Sequence, residues 1–172
     1  MLNVRKLNGN RKGVSRVIEK NIFTLKNPDQ VKVAYNDDIT DDGLKKIITD
    51  KNQPVNIFLE LGIFDREDMY NKFPKSEFEE MTFNGIRMLW IKNIQLDDIL
   101  VDESIFIFRL LANSNFQVYM ISGDSLNMRV SHTHKSTFFF KKDKIELSLE
   151  KNQLMVMSDY DGCAVIILYN NM

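Results

Sequence analysis

His132 and His134 are the only two histidines of the 172-residue chain, and they stand two positions apart. On a strand, positions i and i+2 share a face, so two imidazoles at this spacing can grip one metal ion. A site would need further ligands, and Glu146 and Asp161 are the acids available for a third. The competing reading is structural. The alternation of Leu126, Met128 and Val130 carries on to His132 and His134, which turns both rings toward an apolar face. A turn at Thr133–Lys135 would instead leave them flanking a hairpin. We favour structural histidines and expect no metal. Cys163 is the one cysteine, so the chain can form neither an intramolecular disulfide nor a cysteine zinc cluster. It sits in the most apolar stretch, where a thiol is inert. Asp159-Tyr160-Asp161-Gly162 carries carboxylates at i and i+2 but lacks the remaining oxygen ligands of a calcium loop, and turn chemistry accounts for it.

Other chemistries lack their motifs. The histidine pair resembles the metal-binding strand of cupins in its spacing, but that pattern sets a Gly and a Glu close on either side. Here Gly123 lies nine residues before His132, and the next acid after His134 is Asp143. His-x-Ser occurs once, at His134-Lys135-Ser136, whereas a two-histidine phosphodiesterase needs two copies. There is no Gly-rich phosphate loop, no Gly-x-Ser-x-Gly and no His-Glu-x-x-His. Glu60, Asp65, Glu67, Asp68, Glu77, Glu79 and Glu80 could hide a catalytic pair, but solvated helix faces look the same. We therefore expect no catalytic residues and no cofactor.

Charge is the more informative signal. The formal net charge is −1, yet it is spread unevenly. Residues 1–35 carry eight Lys or Arg against two acids, whereas residues 36–80 carry twelve acids against six bases. Such asymmetry steers a partner of opposite sign, unless the two segments neutralise each other. Residues 5–20 are basic but hold no aromatic residue. Lys141, Lys142 and Lys144 follow Phe138–Phe140 and form the better nucleic-acid candidate, although lysines also guard sheet edges.

The elements that must position these groups follow from periodicity. From Phe116 to Tyr169 the chain reads as closely spaced strands: 116–121, 126–130, 138–140, 145–149, 154–157 and 163–169. Short turns leave no room for helical crossovers, so the sheet should be antiparallel, and the continuous apolar run at its end marks a central strand. Earlier, residues 17–35 read as a hairpin turning at Asn27-Pro28-Asp29-Gln30. Thr40 caps a helix with an apolar stripe at Leu44, Ile47 and Ile48. Residues 55–61 read as a strand, Asp65 caps a helix over 66–72, and Ser76 with Glu79 has capping-box spacing for a short helix over 77–82. Residues 85–91 form a strand with Ile86, Met88 and Trp90 on one face. Asp102, Glu103 and Ser104 open a core helix with Ile105, Phe108, Leu111 and Ala112 inward, widened by Phe106, Ile107 and Leu110. Residues 1–13 are expected to be loosely attached.

The sum is a single α+β domain over residues 1–172, a C-terminal antiparallel meander covered by helices from the first two thirds. No signal peptide or apolar run of membrane-spanning length is evident, and a cytoplasmic location is expected. In overall style, with no diagnostic motif, the chain resembles bacterial toxin-immunity proteins. That resemblance implies a non-catalytic inhibitor that occludes a basic partner such as a toxin nuclease. The residues expected at such a contact are Asp37, Asp38, Asp41, Asp42, Asp65, Glu67 and Asp68, with Tyr70 or Phe73 as aromatic anchor. The alternatives are an RNA- or nucleotide-binding domain and, behind it, a His-x-His metal enzyme.

Overall fold

Asn84-Gly85 sets the register of a long hairpin. Both residues have positive φ, +52° and +82°, as a type I′ turn requires, and Asn-Gly is the pair that adopts it most readily. It joins strand β5 (Glu77–Phe83) to strand β6 (Ile86–Ile94) in uninterrupted antiparallel register from Phe83–Ile86 to Glu77–Lys92. The expected helix over 77–82 is therefore a strand. A capping box is local and worth about 1 kcal/mol, which loses to seven ladder pairs and a turn that closes them. In the strand, Met81 and Phe83 share one face with Ile86 and Met88, and Phe78 turns to the other.

The structure is a computed structural model that describes residues 5–6, 22–50, 52–95, 97–134, 141–159 and 164–170. The remaining elements are β1 (Arg5–Lys6), β2 (Phe23–Leu25), β3 (Val31–Asn36), helix α1 (Asp41–Thr49), β4 (Val55–Glu60), α2 (Arg66–Lys72), α3 (Asp98–Asn113), β7 (Val118–Ser122), β8 (Asn127–His134), β9 (Lys141–Ser148), β10 (Leu154–Ser158) and β11 (Val165–Asn170). Among the described residues, eight strands form one sheet in the order β1-β3-β11-β10-β7-β4-β6-β5, antiparallel throughout. A second sheet has the order β2-β9-β8, with β2 parallel to β9. The fold is mixed α+β and predominantly β. No helix among the described residues is long and apolar enough to cross a membrane.

Two apolar clusters lie on the two faces of the large sheet. One joins Leu44 and Ile48 of α1, Met69 of α2 and Val101, Ile105, Phe108 and Leu111 of α3 to Ile57, Leu59, Leu89, Ile91, Val118, Met120, Val156 and Ile167. The other joins Phe23, Leu25, Ile145 and Leu147 of the small sheet to Val33, Phe58, Met88, Tyr119, Ile121, Met155 and Leu168. Alternate residues of the same strands thus serve opposite cores, as the pleat dictates. Double coverage explains why β11 reads as a continuous apolar run, and each fully buried side chain stabilises by about 1.5–3 kcal/mol.

Three further expectations are corrected. The C-terminal strands are not one meander: β7, β10 and β11 belong to the large sheet, while β8 and β9 leave it to cover its other face. The expected hairpin over 17–35 is not formed by its described residues, because β2 pairs with β9 and β3 with β1 and β11. Pro28–Gln30 is a short 3-10 turn that passes the chain between sheets, held by the Asn27 side chain, which donates to the Leu149 carbonyl at 2.8 Å and accepts from its N–H at 3.1 Å. The core helix begins at Asp98, four residues before the acids expected to open it, because Asp97 caps it by accepting from the Ile99 N–H at 2.8 Å. The expected loose start falls outside the described residues except at Arg5 and Lys6, whose backbone pairs with β3.

Asn56 shows how the large sheet absorbs an irregularity. The β4–β6 register shifts between Val55 and Ile57, and Asn93 opposite adopts φ +52°. The buried Asn56 carboxamide accepts from Trp90 Nε1 at 3.2 Å and from the Asn93 N–H at 3.3 Å. It donates to the Gly123 carbonyl at 2.8 Å. A bulge leaves backbone groups without ladder partners, and this side chain supplies them.

Candidate interaction surface

Helix α3 lies between the other two helices, and ion pairs fix it to both. On one flank Lys45 of α1 reaches Asp102 at 2.8 Å and Asp98 at 3.2 Å, and Arg109 Nε reaches Asp41 at 3.0 Å. The hydrogen bond to Asp102 is the main cause that holds the Lys45 ammonium above its ordinary pKa. On the other flank Lys72 of α2 pairs with Glu103, its Nζ 6.0 Å from the Phe106 ring centroid. Solvent screens ion pairs of this kind, so their effect is placement more than stability.

The placement gathers charge. Over residues 37–50, 65–72 and 97–113, the three helices and their entry turns, there are twelve acids against five bases. Three of those bases, Lys45, Lys72 and Arg109, are already engaged with acids of a neighbouring helix. Within this acidic surface α3 exposes two large apolar side chains, Ile99 at 77% and Phe106 at 54%. They are seven residues apart, two helical turns or about 10.5 Å along the axis, on one side of the helix. Asp102 and Glu103 lie between them in sequence at the spacings that share that side.

Each residue expected at a partner contact can now be placed. Asp37, Asp38, Asp42 and Glu67 are exposed. Asp41 is exposed but tied to Arg109. Asp65 and Asp68 form a capping box at the start of α2. Asp65 Oδ1 accepts from the Asp68 N–H at 2.9 Å, and Asp68 Oδ2 accepts from the Asp65 N–H at 3.0 Å. Their carboxylates thus serve the helix first. Tyr70 is 40% exposed, its hydroxyl accepts from Arg66 Nε at 3.1 Å, and its ring packs on Phe78 with centroids 4.1 Å apart. Phe73 is a correction: it is fully buried beneath α2 in the helix-side core and cannot anchor a partner.

Ile99, Asp98, Asp102 and Glu103 are not among the residues expected at a partner contact, and Phe106 corrects the expectation that it widens the buried stripe of this helix. Ile105, Phe108, Leu111 and Ala112 define the inward side, and Phe106 falls opposite it, more than half exposed.

Of the seven acids considered for a catalytic pair, five have structural partners: Asp65 and Asp68 cap α2, and the other three lie on strands. Glu79 pairs with Lys92 at 2.6 Å, Glu80 with Arg87 at 2.7 Å, and Glu60 Oε2 accepts from the Gln117 N–H at 3.0 Å. β8 continues through His134, so His132 and His134 occupy alternating backbone positions opposite Asp143 and Lys141; their side chains lie outside the described residues. Glu146, a possible third ligand, pairs with Lys26 at 3.3 Å. Among the described residues no group of three metal-ligating side chains converges. Asp161, Cys163, Phe138–Phe140 and the side chains of Lys141 and Lys142 are outside the described residues, and Lys144 is half-buried on β9. Comparison with family models, curated proteins and solved structures returned no match.

Proposed function

We propose that this chain is a non-catalytic protein-binding module whose three-helix face engages a basic partner protein. The observation that carries the reading is Phe106, more than half exposed on the outer side of the main core helix and bordered by Asp102 and Glu103. An exposed aromatic flanked by acids at i−4 and i−3, with Lys72 and Arg109 beside it engaged by acids of their own, fits an interface anchor with a charged rim. The ring supplies desolvated contact, and the charges supply association rate and specificity. Ile99 extends the apolar contact along α3, and Asp42 and Glu67 extend the acidic rim onto α1 and α2. In its most specific form the proposal is an inhibitor of the immunity type, which would occlude the active site or substrate channel of a basic target such as a toxin nuclease.

The test is a comparative capture from the native source at low salt. Wild type, Phe106→Ala with Ile99→Ala, and Asp42→Lys with Glu67→Lys are used in parallel. A basic protein retained by wild type, released as salt rises and lost with both double variants is the expected result. Equal retention by all three sinks the proposal. Asp41 and Asp68 are left unchanged, since reversing them would break the Arg109 pair and the α2 cap.

A further inference from the structure

Strand β5 ends the large sheet. It pairs with β6 on one side, and among the described residues no strand pairs with its other side. A ladder that starts from a two-residue turn makes Phe83–Ile86, Met81–Met88, Glu79–Trp90 and Glu77–Lys92 the hydrogen-bonded pairs. The N–H and C=O groups of Phe78, Glu80 and Thr82 therefore point away from β6, toward the open edge. One end of this edge is closed: the Asn84 side chain donates to the Asp143 carbonyl at 3.4 Å and accepts from its N–H at 3.2 Å, which ties the turn to β9. The Glu77 end carries no such tie to β9.

Exposed edges usually carry charged side chains, above all Lys, or Pro or a bulge that limits further pairing. β5 has no Lys, no Pro and no bulge: its sequence is Glu-Phe-Glu-Glu-Met-Thr-Phe in unbroken register. Its guards are acids alone, and these discriminate among occupants. A second copy of β5 paired antiparallel about Glu80 would set that carboxylate against its own equivalent, and like charges directly opposite are unfavourable. A basic strand meets no such penalty. The two faces of the edge also differ. Glu77 and Glu79 lie on one, ahead of Met81 and Phe83, while on the other, which Glu80 and Thr82 share, Phe78 packs against the part-exposed Tyr70 ring. Glu79 and Glu80 hold Lys92 and Arg87 of β6, but a carboxylate has about four acceptor positions and can take a second cation from the open side.

We infer that the β5 edge binds an extended basic segment of another protein by strand addition, with Lys or Arg at alternate positions facing Glu77 and Glu79 and apolar side chains between them facing Phe78 and Tyr70. Main-chain hydrogen bonds to Phe78, Glu80 and Thr82 supply affinity, and the two-faced pattern supplies selectivity. This inference rests on β5 and the earlier one on α3, so either reading can fail without the other.

The probe is a fluorescein-labelled Lys-Val-Lys-Val-Lys-Val peptide, followed by anisotropy at low salt against the full chain. Two companions carry N-methyl groups on every Val amide or on every Lys amide. In a strand only alternate amides face the partner, so one companion is expected to bind like the parent and the other at least about tenfold more weakly, roughly 1.4 kcal/mol. Equal binding by the two, or no binding by the parent, overturns the inference. Glu80→Pro removes an outward N–H and leaves the β6 ladder intact, and it is expected to abolish binding. Should that variant not fold, Glu77→Lys with Glu79→Lys is expected to weaken binding at least about tenfold. Phe106→Ala is expected to bind the peptide unchanged. A dimer of the chain that Glu80→Pro or the charge reversal dissociates would overturn the choice of occupant.

Discussion

Phe73 and Phe106 are the same side chain in opposite settings, and the contrast is measurable. Phe73 is fully buried, and its replacement by Ala leaves a cavity beneath α2. The expected loss in urea unfolding is about 3–5 kcal/mol. Phe106 stands in solvent over half its surface, so Phe106→Ala should change stability by no more than about 0.5–1 kcal/mol while abolishing partner capture. Tyr119 gives a pH prediction. It is buried between Phe23 and the sheet, and desolvation, the largest cause, pushes its phenol well above the ordinary value of 10.0. The folded state then keeps a proton that the unfolded chain releases. The stabilisation is complete below about pH 10 and declines above it, by up to about 1.4 kcal/mol per pH unit. Tyr119→Phe should be less stable at neutral pH, having lost the bond to Gln117 Oε1 at 3.0 Å, yet show a shallower alkaline decline. Identical slopes for the two proteins between pH 10 and pH 11 would refute this account.

At the scale of elements, the strongest signals are those where local chemistry and tertiary contacts agree. Thr40 accepts from the Gly43 N–H at 3.1 Å, and α1 and α2 occupy the spans their caps announce. Asp65→Ala should cost about 1 kcal/mol, read as a lower urea midpoint with unchanged slope. The β5–β6 hairpin rests on a turn whose Gly85 has φ +82° with open space around it. Gly85→Ala therefore probes backbone strain without a steric clash, and it should destabilise by about 1 kcal/mol. Elements were misread where two local signals competed. Ser76 and Glu79 announced a helix start, while Asn84-Gly85 announced a hairpin, and the second signal, overlooked in the sequence, was the one with a paired strand behind it. Similarly, the Asn27–Gln30 turn is sound turn chemistry, but a turn does not choose its sheets.

For the whole molecule, charge layout is the property with the widest reach. Eight of the twelve acids of residues 36–80 lie on the first two helices and their flanking turns, while Lys26 of the basic first segment pairs with Glu146 on the small sheet. A partner drawn to the helical face should associate more slowly as salt rises, with a smaller change in dissociation rate, as stopped-flow mixing would show once the partner is in hand. The same layout predicts no retention on heparin at moderate salt. Strong retention would instead favour the nucleic-acid reading centred on Lys141, Lys142 and Lys144.

Sequence alone determined the parts whose causes are local. Helix caps, the period-two strands after Phe116, the double burial of the last strand and the uneven charge are all consequences of neighbouring side chains and backbone chemistry. The tertiary structure decided what depends on residues far apart in the chain. It sent β8 and β9 to a second sheet, paired β2 with β9 across more than a hundred residues, and buried Phe73 while exposing Phe106. Two aromatic residues on or just past a helix are indistinguishable until the sheet beneath them fixes which side is inward. For that reason the uneven charge was legible in the sequence and the exposure of Phe106 was not.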